Sequence, residues 1–234
     1  MFISSTMRHI LVLLAGILAC IGVNAQELKR MEPEFSDFLS MLKKDGYGMF
    51  AFDISSLKED TYTISYEIKE YSKGEIIGTK TSPAFFVNRH LMSELPESSW
   101  QQYIDEGRVY DQEKGIFSLA EKITIGFLPA SDSLKMMHFS VVGAGSSTWN
   151  LTLKPLEGPS MGNKYSYDAR PFVIGSIQPG IFIPLVLLGS FWYDENGGFY
   201  RFCGEKEFPA DMSSPSLKYV PHYYVIGITA TKND

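Results

Sequence analysis

Residues that could perform catalysis are scattered along this 234-residue chain, and none of them forms a diagnostic motif. The histidines beyond the first 25 residues, His90, His138 and His222, show no His-Glu-x-x-His pattern and no pairing with Cys or Asp at metal-ligand spacing. There is no Gly-x-Ser-x-Gly elbow, and no Ser-x-x-Lys in an acyl-transfer context. We therefore predict no catalytic residue, no metal site and no cofactor.

Acidic residues are abundant, so a carboxylate pair could still hydrolyse a glycosidic bond. A retaining glycosidase needs two carboxyl groups ~5 Å apart on either side of that bond. Asp194 and Glu195 are adjacent at a turn and would point in different directions. A carboxylate-dependent glycoside hydrolase or other secreted hydrolase is therefore the alternative function, without a named residue pair.

Aromatic residues are concentrated near the ends of two late strands. Trp192 and Tyr193 precede a turn, Tyr200 follows it, and Tyr219 and Tyr223 lie near the last strand. Exposed Trp and Tyr rings are stacking surfaces for sugars and anchors at interfaces. We predict that these five rings form a shallow platform, and a packed aromatic core is the alternative. The platform favours a non-catalytic exported binding or accessory module for a glycan, a cell-surface component or a protein partner.

The first of these rings end an apolar run from Ile181 to Tyr193. Pro184 and Gly189 inside the run disfavour a helix, and the run is shorter than the ~20 residues that span a bilayer. Its apolar residues fall on both faces, which predicts a central strand covered on both sides. Asn196-Gly197 predicts a tight turn, after which residues 198–203 return as a second strand.

Two helices and a hairpin are predicted before the late strands. An amphipathic helix begins after Pro33 and ends before Gly46, and its apolar stripe is expected to pack on a sheet. The stripe consists of Phe35, Phe38, Leu39 and Leu42. A second helix is predicted around residues 96–106, and residues 62–80 alternate as a β-hairpin.

The remaining pattern is dominated by strands. Beyond a possible subdomain joint at residues 111–115, short apolar segments recur between turn residues. This spacing is typical of a sandwich or barrel. We predict a β-dominated α+β fold, an antiparallel β-sandwich or partly closed barrel with an N-terminal helix and a second short helix, in which residues 26–234 form a single domain.

The N-terminus has the pattern of a signal peptide. Residues 7–9 form a short basic region, residues 10–21 are almost entirely apolar, and Val23-Asn24-Ala25 suits signal peptidase. We predict cleavage before Gln26 and a periplasmic or extracellular protein. A lipid anchor on Cys20 and a retained membrane anchor are the alternatives.

The mature chain would be acidic and free of disulfides. Without Arg8 it holds 20 basic and 27 acidic residues, for a formal charge of −7. This balance provides no basic field for nucleic acid, and we predict no membrane span after leader removal. Cys203 would be the remaining cysteine, so no intrachain disulfide can form, and we expect a buried, unreactive thiol.

The leader ending in Ala25-Gln26 resembles those of proteins exported by Bacteroidetes-type bacteria. The mature chain is similar to uncharacterised exported proteins of that group, which carry domains of unknown function, so the resemblance implies export without implying an activity. Asp132-Ser133-Leu134 also matches the Asp-Ser/Thr-aliphatic site that such bacteria O-glycosylate. Ser133 is therefore a candidate modified residue, and an unmodified polar turn is the alternative.

Overall fold

Alternation of apolar and polar side chains organises many segments of the chain into β-strands. The computed structural model describes residues 32–82, 85–159, 164–202 and 204–233. In chain order the strands are β1 (Gly48–Asp53), β2 (Tyr62–Ser72), β3 (Glu75–Thr81), β4 (Phe86–Val87), β5 (Arg89–Leu91), β6 (Ile116–Leu119), β7 (Lys122–Ser131), β8 (Leu134–Val141), β9 (Gly145–Thr152), β10 (Tyr167–Pro171), β11 (Ile183–Ser190), β12 (Trp192–Asp194), β13 (Phe199–Arg201) and β14 (His222–Lys232).

These strands pair in an antiparallel manner and form two separate sheets that pack face to face. The first sheet has the order β1-β7-β8-β9, and the second has the order β10-β11-β14-β2-β3, with β4 also paired to β2. Two short ribbons, β12–β13 and β5–β6, are hydrogen-bonded to neither sheet. The predicted β-dominated α+β fold is therefore confirmed, and of the two expected architectures the sandwich is the one observed.

Side chains from both sheets form one hydrophobic core. Tyr66 of the second sheet stacks on Phe139 of the first, with ring centroids 4.3 Å apart and both rings buried. The Tyr66 hydroxyl donates to Ser147 Oγ at 2.9 Å, and the Tyr224 hydroxyl donates to the Thr152 carbonyl oxygen at 2.8 Å. Both bonds cross between the sheets, so these tyrosines bury their rings while their hydroxyls keep hydrogen-bond partners.

The predicted central strand is confirmed as β11, which is buried along its whole length between β10 and β14. Val186 and Leu188 face the core between the sheets, and Leu187 faces a second cluster on the opposite side of the sheet. Residues 204–220, which we call the outer cover, supply Phe208 and Val220 to that second cluster. The outer cover explains why β11 is apolar on both faces.

The strand is shorter than the apolar run that predicted it. It ends at Ser190, which pairs with Tyr167 at the start of β10, while Tyr223 at the start of β14 pairs with Gly189. Both neighbouring strands therefore run out within one residue of this point. With no ladder left on either side, Trp192 begins the separate β12–β13 ribbon instead of extending the sheet.

The turn of that ribbon also differs from the prediction. The strands are joined by the four residues 195–198, and the left-handed residue is Gly198, with φ 69°, not the Asn196-Gly197 pair. The Asp194 carboxylate accepts hydrogen bonds from the backbone N–H groups of Asn196 and Gly197 at 3.1 and 3.3 Å. This local side-chain bonding stabilises the longer loop in place of the two-residue turn.

Both predicted helices form. Helix α1 spans Phe35–Lys44, and helix α2 spans Glu97–Asp105 and ends before Gly107, whose φ of 66° suits a helix terminus. On α1, Leu39 and Leu42 are 48% and 43% exposed, so the expected packing of these two residues against a sheet is wrong. Residues 39–234 form one compact unit.

The contact between β11 and β14 provides a test of the sandwich. Gly227 lies opposite Pro184, and a Cβ atom at Gly227 would lie 2.4 Å from the Ile183 carbonyl oxygen and 2.5 Å from the Phe182 ring. Because this carbonyl belongs to the central strand, we expect Gly227→Ala to lower the free energy of unfolding by about 3 kcal/mol in urea titrations.

The matched control is Gly175→Ala. A Cβ atom at Gly175 would meet nothing within 4 Å, and the residue is not among those with positive φ. Its effect on unfolding should stay within ~0.5 kcal/mol. Equal urea midpoints for the two variants would show that β11 and β14 do not approach as closely as described.

Candidate functional site

A short β-ribbon carries three of the predicted platform residues away from the second sheet. It pairs Trp192 with Arg201 and Tyr193 with Tyr200. Arg201 Nη1 lies 3.0 Å from Asp194 Oδ2, and the guanidinium carbon lies 5.6 Å from the centre of the Trp192 ring. The hydrogen bond from Arg201 lowers the pKa of the Asp194 carboxyl, which favours the ionised form that links the two strands.

An open cleft of about 740 Å³ lies beside this ribbon. Its volume falls within the ~300–1,000 Å³ that is usual for ligand-binding pockets. Trp192, Tyr193 and Tyr219, three of the five platform residues predicted from the sequence, line the cleft. Its charged lining residues are Lys73, Lys218, Glu157 and Glu195. The cleft therefore combines aromatic faces with groups of both charges.

The aromatic part of the cleft comes from two elements. Trp192 lies on the ribbon, and Tyr219 ends a 3₁₀ turn, Pro215–Tyr219, that belongs to the outer cover. The two rings are nearly parallel, with 19° between their planes and 6.4 Å between their centroids. Trp192 is half-buried against the second hydrophobic cluster, whereas Tyr219 is 56% exposed. The half-buried ring thus supports one that is open to solvent.

Two lysines, Lys73 and Lys218, line the cleft, and we call them the lysine wall. Lys73 lies in the turn between β2 and β3, and its backbone N–H donates to the Pro221 carbonyl oxygen at 2.9 Å. Lys218 places its Nζ 4.9 Å from the centre of the Tyr219 ring. Because Tyr219 and Pro221 are nearly adjacent in sequence, the backbone bond fixes the turn close to the aromatic pair.

Two glutamates form the carboxylate wall. Glu195 follows Asp194 in the ribbon loop, and Glu157 precedes Gly158, which packs closely on the ribbon. A Cβ atom at Gly158 would lie 2.5 Å from the Tyr200 hydroxyl, and its φ of 135° suits glycine alone. This close approach holds the segment that carries Glu157 against the ribbon whose loop carries Glu195.

The remaining platform residues do not line the cleft. The Tyr200 hydroxyl donates to the Pro159 carbonyl oxygen at 3.3 Å, and the centres of the Tyr200 and Tyr193 rings lie 5.2 Å apart. Tyr200 therefore joins the ribbon to the segment that carries Glu157. Tyr223 is only 2% exposed and stacks on Tyr71 beneath the outer cover, where burial raises its pKa to about 12. Tyr223 therefore does not belong to the cleft surface.

A buried network that sequence reasoning missed lies next to the lysine wall. His222, which directly follows Pro221, places Nε2 2.9 Å from Glu70 Oε1, and its Nδ1 lies 2.5 Å from the Tyr167 hydroxyl oxygen. That oxygen also accepts the Lys154 backbone N–H at 2.9 Å. These contacts join β14, β2 and β10, and no sequence signal relates them without knowledge of the strand order.

The network assigns a protonation state to His222. Burial lowers the pKa of the imidazole, and the Glu70 carboxylate opposes this effect only in part. Burial likewise raises the pKa of Tyr167, so its hydroxyl keeps its proton and donates to Nδ1. The neutral ring with its proton on Nε2, donated to Glu70, satisfies every partner.

Other sequence predictions fall outside this region. Ser133 lies in the turn between β7 and β8, where it is half-buried and its carbonyl oxygen accepts the Leu153 N–H at 2.8 Å. Its glycosylation stays a prediction. The predicted leader with Cys20, and Cys203 with its predicted buried thiol, lie outside the described residues.

The His222 network predicts a pH-dependent stability. Because the folded state lowers the pKa of His222 below its ordinary value of 6.5, the unfolded chain binds the proton more readily. The stability that the neutral ring contributes is present above that value and is lost as the pH falls through the folded-state pKa. In urea titrations from about pH 7.5 to about pH 5, the advantage of the wild type over His222→Gln should therefore shrink.

His138→Gln is the matched control for this experiment. Its ring contacts Thr148 on the first sheet and takes no part in the Glu70–Tyr167 network. Measuring its stability relative to the wild type over the same pH range shows how far the loss of any histidine accounts for the result. A difference for His222→Gln that does not change with pH would mean that folding does not lower the pKa of His222.

Two kinds of site are not found among the described residues. Within this part of the chain, no three His, Cys, Asp or Glu side chains gather where they could hold a metal ion. No helix of that same part of the chain has the length and apolar character needed to cross a membrane.

The comparisons with known proteins give a family without an activity. Neither the curated proteins nor the solved structures include a match to the chain. Residues 18–232 match the profile described as Domain of unknown function (DUF5041), and the chain belongs to that family.

Proposed function

We propose that the cleft binds carbohydrate and that the protein is an exported, non-catalytic binding module. The observation that carries this proposal is the pairing of a supported Trp192 with an exposed, nearly parallel Tyr219 in an open cleft. Aromatic faces bind the apolar C–H faces of sugar rings, and few other uncharged polar ligands present such faces.

The charged walls suit the same class of ligand. Ionised carboxylates only accept hydrogen bonds, and ammonium groups only donate them. A sugar hydroxyl can do both, so it can bond to Glu157 or Glu195 on one wall and to Lys73 or Lys218 on the other. The cleft therefore offers stacking between two sets of complementary polar groups.

A second candidate is glycoside hydrolysis, which is favoured by the presence of Glu157 and Glu195 in one cleft. Two carboxyl groups that flank the scissile bond are the minimum requirement for that reaction. Assays of the purified protein for released reducing ends, with Glu157→Gln and Glu195→Gln as variants, decide between the two. Turnover that either substitution abolishes would replace the binding proposal.

The stacking residue gives the direct test of binding. Immobilised glycan panels identify ligands, and calorimetry then compares the wild type with Tyr219→Ala. Loss of the ring should weaken binding by roughly 1–3 kcal/mol, as for other stacking contacts. Because Tyr219 is 56% exposed, the thermal midpoint should change little. Trp192→Ala should lower both the glycan affinity and the thermal midpoint, since that ring is half-buried against the second cluster.

Tyr110→Ala is the matched control. Tyr110 is 53% exposed, a fraction similar to the 56% of Tyr219. Its hydroxyl donates a hydrogen bond to Glu121, and the residue does not line the cleft. Its removal should leave glycan affinity unchanged. If wild-type protein binds no glycan on the panel, or if the two tyrosine variants bind equally well, the proposed function is incorrect.

Export is part of the proposal and is tested separately. It is supported by the basic start, the apolar segment and the Val23-Asn24-Ala25 site of the N-terminus. Protein recovered from the envelope or medium of an expressing bacterium should begin at Gln26 on N-terminal sequencing. A chain that begins at Met1, or at a lipid-modified Cys20, would contradict this cleavage site.

A further inference from the structure

We infer that the lysine wall selects acidic glycans, with Lys73 and Lys218 recognising a carboxylate or sulfate group on a sugar stacked at Trp192 and Tyr219. This inference rests on the proposed carbohydrate-binding function and adds the ligand's charge to it. Three features of the described residues carry it: the backbone conformation of Lys73, the surroundings of both lysines and the different hydrogen-bonding chemistry of the lysines and glutamates that line the cleft.

The backbone of Lys73 is in a conformation that lysine disfavours. Ser72 pairs with Glu75, so Lys73 and Gly74 alone form the turn, and both are left-handed, with φ of 51° and 85°. Such turns favour Asn, Asp or Gly at the first position, because a larger side chain strains the left-handed backbone. The chain bears this strain at a residue whose side chain lines the cleft, a position where strain commonly accompanies function.

The ammonium groups of the lysine wall are open to a ligand. Both lysines are exposed, and within the described part of the chain no carboxylate lies within 4.0 Å of either Nζ. Lys69 and Lys232 differ in this respect, since Lys69 lies 3.7 Å from Glu67 and Lys232 lies 2.8 Å from Asp60. Lys218 is also held over the Tyr219 ring, so a cation lies directly beside the stacking surface.

The two walls divide the recognition of an acidic sugar between them. Glu157 and Glu195 accept hydrogen bonds from hydroxyl groups, which every sugar offers, so the carboxylate wall does not require a charged ligand. Hydrogen bonds in which both partners are ionised are stronger than those to neutral groups. The lysine wall therefore discriminates between a sugar acid and its neutral counterpart, whereas the carboxylate wall binds both.

The experiment compares ligands that differ only in charge. The probes are oligogalacturonates with their methyl esters, and chondroitin sulfate oligosaccharides with their desulfated forms. Wild-type protein should bind the better acidic probe at least about tenfold more tightly than its esterified or desulfated form. This preference should shrink at about 1 M salt, where charges more than ~3 Å apart are screened.

Substitution of Lys73 separates charge recognition from folding. Lys73→Asn removes the ammonium and places a residue suited to the turn, so the preference should fall below about threefold while the thermal midpoint rises by about 2–4 °C. Lys218→Met should reduce the preference without that rise. Lys58→Asn, at an exposed lysine outside the cleft, should leave the preference unchanged.

Each result bears on one of the two proposals. A preference confined to galacturonates assigns a carboxylate, one confined to chondroitin sulfate assigns a sulfate ester, and either supports the inference. Equal affinity of wild type for each acidic probe and its esterified or desulfated form, or an undiminished preference in the Lys73→Asn/Lys218→Met double variant, would overturn it while leaving carbohydrate binding intact. If the wild-type protein binds no glycan on the panel, the proposed function itself is incorrect.

Discussion

Two-sided burial of the β11–β14 pair is the constraint on which the other features depend. One face of this pair packs on the first sheet through residues such as Val186 and Ile226, and the other face presents Leu187 and Val225. An open two-sheet sandwich would leave that second face in water. Residues 204–220 cover this face, and burial of the apolar side chains between the cover and the sheet is the main driving force that holds the cover in place.

The candidate site is a consequence of this cover. The covering segment must return to the sheet to begin β14, and the turn that precedes this return, Pro215–Tyr219, carries Lys218 and Tyr219 to the edge of the sandwich. At the same edge β11 loses its partners, and the chain turns outward into the ribbon that carries Trp192. The aromatic pair forms where these two departures from regular sheet structure meet.

The sequence predicted features that depend on local pattern and missed those that depend on strand order. The apolar run from Ile181 predicted a central strand correctly, because two-sided burial leaves a continuous apolar signature. The same reasoning could not tell which face of β14 would be covered, so it placed Tyr223 on a surface when residues 204–220 bury it. Alternation determines that neighbouring side chains oppose each other, but not which side meets solvent.

The charged part of the site was beyond sequence reasoning for a related reason. Lys73 and Glu157 come from loop segments that are far apart in the sequence, and neither belongs to a motif. They share one cleft because β14 pairs with β2 and because Gly158 packs against the ribbon, and both are properties of the folded chain. Sequence reasoning found Tyr219 and Trp192 because the positions of aromatic residues near predicted strand ends can be read from the sequence itself.

The edge of the sandwich tolerates conformations that would be unfavourable in an isolated peptide. Lys73 is held left-handed by its turn and by the Pro221 carbonyl oxygen, and Gly158 is held in an extended left-handed region against Tyr200. His222, the residue after Pro221, is hydrogen-bonded through both ring nitrogens, to Glu70 and to Tyr167. A buried, fully bonded residue limits how far Pro221, and with it the Lys73 turn, can move. The cleft therefore owes its shape to polar contacts at the end of the core, while the apolar core supplies the stability that offsets their cost.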